Sequence, residues 1–380
     1  MIKFARPSVD KKVIFKIKKI IDKGVFVHGD FTEKFEKQLT KYFNLKNNFL
    51  LSTASCTASL HLYYMSIGLK KNDEVIMSAQ THVATAHAVE ACGAKPIFID
   101  CELKTGNIDI GKINKKINKK TKCICVTHFL GKPADMLKIN KIAKKNNLKV
   151  IEDTALSIGS KIGNKFSGTF GDAGAFSFHP VKIITTGEGG AIILKNRKEF
   201  ELVKSMKSFG YDIASPNKRK IPGNYNVNNF GLNYRMSEIE SAIGIHELQK
   251  IKHKIKVRKK NYNYFKSKIK NLENFRILES HSNKNYSSSY YCLTIILNNK
   301  NKVFRNKAIL ELKKKGIQPS IYYPHPVPLL NFYKKKYNYK SISFKNSCRI
   351  AYNSISFPIA THISQKNINF MSKQIKKIIG

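Results

Sequence analysis

Seven short apolar runs, bounded by turn-forming residues and separated by segments of helical periodicity, constrain this chain more than any other feature of its sequence. They occupy residues 48–52, 74–78, 95–100, 122–128, 149–153, 173–178 and 191–195. Continuous apolar runs of this length predict strands covered on both faces, and an intervening helix such as 136–146 predicts a mostly parallel sheet between helical layers. The fold class expected is therefore α/β. Near residue 237 the pattern changes to one long amphipathic stretch, SEIESAIGIHELQKIKHKIKVRKKNYNYF, which predicts a helix joining two lobes. A polar linker (SHSNKNYSSS), a strand at 290–297 and helices at 306–315 and 365–379 follow, predicting a small α+β domain. The expected division is 1–250 for the large domain, N-terminal arm included, and 251–380 for the small one.

A chain of 380 residues with 42% hydrophobic content can bury a core of this size. No segment reaches the roughly 18 apolar residues of a membrane helix, and the N-terminus lacks an apolar leader, so a cytoplasmic protein is expected. The net charge of +44 raises the question of nucleic acid. Its lysines are spread over almost every solvent-facing segment rather than gathered in one stripe with interleaved aromatics, so specific nucleic-acid binding is not expected. The seven cysteines show no zinc spacing, and Cys123 and Cys125 alternate in a strand-like run as buried thiols would. No metal site is expected.

Three elements carry chemistry. Lys182 lies in FSFHPVKIITTGEGG, at the mouth of a buried strand, where loss of water would lower its pKa and make it a nucleophilic amine. A lysine reaching out of a strand end fits the same residues. Asp153 ends the run VIED, 29 residues before Lys182; at the carboxyl edge of a parallel sheet such an acid faces the ligand crevice and can pair with a protonated ring nitrogen. Third, STASCTASLHL passes from strand to helix with hydroxyl-rich residues, which serves equally as a phosphate seat or as a simple N-cap.

These segments, with SAQTHVATAHAVEACGAKPIFID, HFLGKPADM, VIEDTALSIGS and GLNYRMSEIESAIG in this order, resemble the DegT/DnrJ/EryC1/StrS family of sugar aminotransferases over nearly the whole chain. The resemblance implies the type I fold of pyridoxal-phosphate (PLP) enzymes and a PLP-dependent transfer of an amino group from an amino acid, glutamate in the family, to a keto group of a nucleotide-linked deoxysugar. Lys182 matches the PLP-bearing lysine and Asp153 the acid on the pyridine nitrogen. Ser177, Cys56 and Thr57 match the phosphate contacts, and His82 the ring stacked on the cofactor. Asn233 matches a residue that reaches the cofactor of a neighbouring subunit, implying a homodimer with shared active sites. Two positions depart from the family. Leu156 stands where many members carry a glutamine on the cofactor's ring hydroxyl, and Cys56 replaces a glycine. Relatives that dehydrate sugars carry histidine in place of the lysine, and His179 lies three residues from Lys182. A sugar dehydratase or cyclitol transaminase, and an idle PLP- or nucleotide-binding regulator, are the competing functions. Gly187, Gly189 and Gly190 are expected as turn glycines. Tyr322, Tyr323 and His325 either line the sugar site or pack between domains, and His128 is open. The amino sugar is expected in a cell-surface glycan.

Overall fold

Strand-forming runs with apolar residues on both faces assemble the centre of the computed structural model, which describes residues 1–380 apart from 8, 48, 214–218 and 282. In chain order the strands are β1 (Leu50–Thr53), β2 (Glu74–Ser78), β3 (Lys95–Ile99), β4 (Thr121–Thr127), β5 (Lys149–Asp153), the short hairpin β6 (Lys161–Ile162) and β7 (Lys165–Phe166), β8 (Ala173–Ser177) and β9 (Gly190–Leu194). The central sheet has the order β1-β9-β8-β5-β4-β2-β3. Strands β8, β5, β4, β2 and β3 pair in parallel, and β9 runs antiparallel between β8 and β1. The apolar runs fall on these strands to within two residues; Asn48, which begins the first run, lies outside the described residues.

The helices are α1 (Val13–Lys23), α2 (Asp30–Phe43), α3 (Cys56–Ser66), α4 (Val83–Glu90), α5 (Met136–Lys145), α6 (Arg197–Met206), α7 (Glu238–Gln249) and α8 (Ile251–Ile269). Alternate residues of each strand divide between two layers, as the period of a strand requires. Val75, Met77, Cys123, Cys125 and Ile151 pack with α3 and α4, whereas Ile76, Ile124, Val126 and Val150 pack with α5. Each such side chain taken from water contributes roughly 1.5–3 kcal/mol. On that second face α2 and α7 cover Leu50, Ala191 and Ile193 through Phe35, Leu39, Ile245 and Leu248.

A second antiparallel sheet joins β10 (Phe275–Ile277), β12 (Leu293–Leu297) and β13 (Ser354–Phe357), while β11 (Tyr286–Ser287) pairs with β6. Helices α9 (Lys302–Lys314), α10 (Asn331–Tyr337), α11 (Lys345–Asn353) and α12 (Gln365–Ile378) complete the chain. The core around β12 and β13 takes Phe265 and Ile269 from α8. Two expectations change here. The stretch from residue 237 is two helices that meet at Lys250, because α7 faces the large sheet and α8 the small one, and one straight helix cannot present an apolar stripe to both. The segment expected as a polar linker contributes β11 and buries Ser288 and Ser289; Ser282 within it lies outside the described residues.

Candidate active site

The carboxyl ends of β1, β4, β5 and β8 open on one edge of the sheet. At β1 the chain turns into α3 through Ser55, whose side chain accepts the Ala58 N–H at 3.1 Å. The remaining first-turn N–H groups, those of Cys56 and Thr57, have no partner inside the helix and sit at its positive end. Gly189 is bridged to Ser55 on one side, and its carbonyl accepts the Phe178 N–H at 2.9 Å on the other. Ser177, the last residue of β8, is opposite Gly190. The start of α3 and the Ser177 hydroxyl therefore flank Gly189 and Gly190, and Gly190, expected in the turn, is instead the first residue of β9, paired with Thr53 and Ser177. A Cβ on Gly190 would lie 2.4 Å from the Ser55 carbonyl carbon and 2.6 Å from the Cys56 nitrogen, so only glycine admits this approach. Gly187 and Gly189 have φ of +92° and +140°, as turn glycines do.

Asp153 is buried at the end of β5 and its carboxylate is held on both oxygens. Oδ1 accepts the Ala155 N–H at 3.0 Å and lies 3.9 Å from Cys56 Sγ. Oδ2 accepts the Thr85 hydroxyl at 2.7 Å; Thr85 is 2.8 Å from Thr81, and Thr81 is 2.7 Å from Thr127. An ionised carboxylate only accepts, and each threonine has one proton. Thr85 therefore donates to Asp153, Thr81 to Thr85 and Thr127 to Thr81, a polarised row aimed at the acid. Burial, then the nearby Asp153 carboxylate, pushes the Cys56 thiol well up, so it stays protonated.

Lys182 lies in the connection between β8 and β9. Thr185 and Thr186 fold that connection back on the Phe178 carbonyl, both at 2.9 Å. Glu247 on α7 accepts the Thr185 N–H at 3.2 Å, and the Tyr291 hydroxyl donates to the Val181 carbonyl at 3.1 Å. The loop is thus tied both to α7 and to the segment that leads into β12. Burial lowers the pKa of the Lys182 amine from its usual value, against the opposing pull of Cys56, Asp153 and Glu188. His82 caps α4, its Nδ1 accepting the Ala84 N–H at 3.2 Å, which leaves the proton on Nε2. Burial and the Lys182 charge lower its pKa, keeping the ring neutral. The Tyr323 ring meets His82 edge-on at 5.5 Å, and Gln80 donates to the Tyr322 carbonyl at 2.9 Å. Tyr322 and Tyr323 thus close over this edge, whereas His325 turns to Tyr352 at 3.4 Å.

The fold brings Lys182, Asp153, Cys56, Thr57, Ser177 and His82 to this one edge. Asn233 is exposed on the segment whose next residue, Tyr234, accepts the Ala54 N–H at 2.9 Å. His128 has a structural role. Its Nδ1 accepts the Ala134 N–H at 3.0 Å, so Nε2 donates to Glu152 at 2.8 Å. Glu152 also accepts the N–H groups of Gly168, Phe170 and Gly171. Burial alone would raise its pKa, and these donors more than offset that, holding it below the usual carboxylate range. Leu156 is buried, and its carbonyl accepts the Ser289 hydroxyl at 3.2 Å. Sequence reasoning missed Thr81, Thr85, Thr127, Ser289 and Tyr291. Only the four-residue spacing of Thr81, just before α4, and Thr85, within it, signalled a shared face.

A helix start that offers free N–H groups, a buried carboxylate and a half-buried amine of lowered pKa along one edge fit the phosphate, ring nitrogen and aldehyde of PLP, each with a partner of the right chemistry. Residues 7–376 match the DegT/DnrJ/EryC1/StrS aminotransferase family. The GDP-perosamine synthase of Caulobacter vibrioides is 32% identical over 302 residues, 80% of this chain and 78% of that protein. The GDP-4-keto-6-deoxy-D-mannose 3-dehydratase of Yersinia pseudotuberculosis is 29% identical over 87% of this chain and 86% of its own. Among solved structures, Helicobacter pylori PseC, an aminotransferase involved in the biosynthesis of pseudoaminic acid, superposes with a TM-score of 0.91 at 25% identity, covering 100% of this chain and 99% of that one.

Proposed function

The chain belongs to the DegT/DnrJ/EryC1/StrS aminotransferase family and is a PLP-dependent aminotransferase, and from that premise we propose that it aminates a keto group on a nucleotide-linked deoxysugar with Lys182 as the cofactor-bearing residue. The observation that carries this is the amine of Lys182, made less basic by burial at the same sheet edge as the Asp153 carboxylate and the start of α3. When bound, PLP supplies an electron sink and a carrier for the amino group. The N–H groups of Cys56 and Thr57 and the Ser177 hydroxyl would hold its phosphate. Asp153, fixed by the threonine row, would keep a proton on the ring nitrogen. His82 would serve as the ring beside it. Lys182 Nζ, as a neutral amine, would take and return the proton at the amino donor's α-carbon, glutamate being the donor we propose. Leu156 offers the ring hydroxyl only its backbone, so that contact is absent or comes from another group.

The nucleotide-sugar substrate is supported by the names of relatives, two of which carry GDP sugars and another a UDP sugar. One of those relatives is a dehydratase, so the choice between the two reactions rests on Lys182. His179 is exposed and turned to Glu188 at 3.8 Å, leaving the more enclosed, half-buried position to the lysine. For a homodimer with shared sites the support is the exposed Asn233 at the position that the family resemblance gives to an inter-subunit contact, and Phe15, Phe26, Phe209, Val227 and Phe230 are exposed as well. Among the described residues no helix is long and apolar enough to cross a membrane, and we place the enzyme in the cytoplasm, its product destined for a surface glycan.

The test is an absorbance spectrum with added PLP, before and after glutamate, for the wild type and Lys182→Ala. Visible absorbance that glutamate converts in the wild type and that the variant lacks is the expected result. An unchanged spectrum in the variant would remove Lys182 from its role.

A further inference from the structure

Away from the sheet edge, a cavity of about 270 Å³ opens between α8 and the segment that carries β11. Lys132, just after β4, lines it and is only 3% exposed. Among the described residues its Nζ has no hydrogen-bond acceptor and no acid within ion-pairing distance. The stem is enclosed while Nζ keeps contact with the cavity, so the ammonium is partly stripped of water with no protein group in return, which is costly. The other charged walls are Lys266, Lys284 and Glu279, and Glu279 is already engaged in an ion pair with Lys266. With Lys132 protonated, three cations face one acid, a surplus of two positive charges. Asp135, near by beyond Tyr286, is occupied in capping α5 and pairing with Lys138 at 3.3 Å. Tyr290 also lines the cavity.

We propose that this cavity is an anion site, separate from the catalytic edge, that takes a phosphate dianion, either free or as a small phosphomonoester, on Lys132, Lys266 and Lys284. The dianion matches the surplus charge, and the cavity leaves room beyond the phosphate for a small organic group. Burial pushes the Lys132 amine down to about 8, so the uncharged and charged forms lie close in free energy at neutral pH and an arriving anion readily fixes the charged one. The site also touches the machinery from behind. The carbonyl of Gly131, the residue before Lys132, accepts the Ser289 N–H and the Ser288 hydroxyl, each at 2.9 Å, and the same segment carries Tyr291 to the loop of Lys182.

Inorganic phosphate titrated calorimetrically into PLP-saturated enzyme at constant ionic strength tests this. One saturable site per chain is expected, weakened about tenfold or more in Lys132→Met, with the bound-cofactor absorbance of that variant intact. Glycerol 3-phosphate binding more tightly than inorganic phosphate assigns the site to monoesters; the reverse order assigns it to free phosphate. Acetylation of the wild-type enzyme, read by peptide mass, provides a measure that needs no variant, and saturating phosphate should protect Lys132 at least about fivefold. Equal phosphate affinity in Lys132→Met, or labelling of Lys132 indifferent to phosphate, overturns the proposal.

Discussion

Replacing Thr85 with valine removes one hydroxyl and little shape from the row of threonines behind Asp153. The bond lost is 2.7 Å long, buried, and made to a carboxylate, a class worth about 1.5–3 kcal/mol. Without that donor the Asp153 carboxylate is held less firmly, and its pairing with the protonated ring nitrogen of the cofactor is weakened. The loss is expressed in the chemical step, so kcat should fall roughly 10- to 150-fold while KM for the amino donor stays within about twofold. Unfolding entropy of about 2.1 cal/mol/K per residue makes about 2 kcal/mol equivalent to a Tm lowered by about 2–3 °C in a chain of 380 residues. Direction gives the sharper test. Thr81→Val breaks bonds between neutral hydroxyls, each worth about 1 kcal/mol, and Thr127→Val breaks one of them at the far end of the row. Steady-state kinetics should therefore rank the losses Thr85 over Thr81 over Thr127. A Thr127→Val enzyme as slow as Thr85→Val, or a Thr85→Val enzyme with wild-type kcat, would refute the polarised row.

Two further outcomes follow from the same geometry. Gly190→Ala forces a methyl group against the backbone of Ser55 and Cys56, so PLP titration of the apoenzyme should give a Kd raised by about tenfold or more; affinity within about twofold of wild type would mean that this close approach does not shape the phosphate seat. Glu152→Gln sets an amide among backbone donors and His128, and should cost about 3–5 kcal/mol at neutral pH. Because the folded pKa of Glu152 is depressed below its ordinary 4.5, its stabilisation is present above that value and lost as pH falls through the folded one. Denaturant unfolding against pH should accordingly show a shallower acid decline in the variant, and parallel curves would exclude this role.

Much of the architecture was legible because strand burial writes itself into local pattern. The runs at residues 74–78 and 149–153 coincide with β2 and β5, since a strand covered on both faces needs an unbroken apolar run. The single amphipathic stretch after residue 237 misled because helical period alone does not tell which core the stripe faces; α7 and α8 answer to different sheets. Ser288 and Ser289 looked like solvent because their composition is that of a loop. They are buried because each hydroxyl finds a backbone carbonyl, Gly131 for one and Leu156 for the other.

The sequence by itself determined the α/β class, the order of the strands along the chain, and the presence of Lys182, Asp153, Ser177 and the start of α3 at the ends of buried runs. Tertiary structure alone decided that these ends share one edge, that Thr127 and Thr81 reach Asp153 through Thr85, that Tyr291 from the segment leading into β12 braces the lysine loop, and that Lys132 is buried facing a cavity. Local pattern records what each segment buries. Which segment's hydroxyl or amine meets another's carboxylate is set only when chains distant in sequence pack together, and no periodicity carries that.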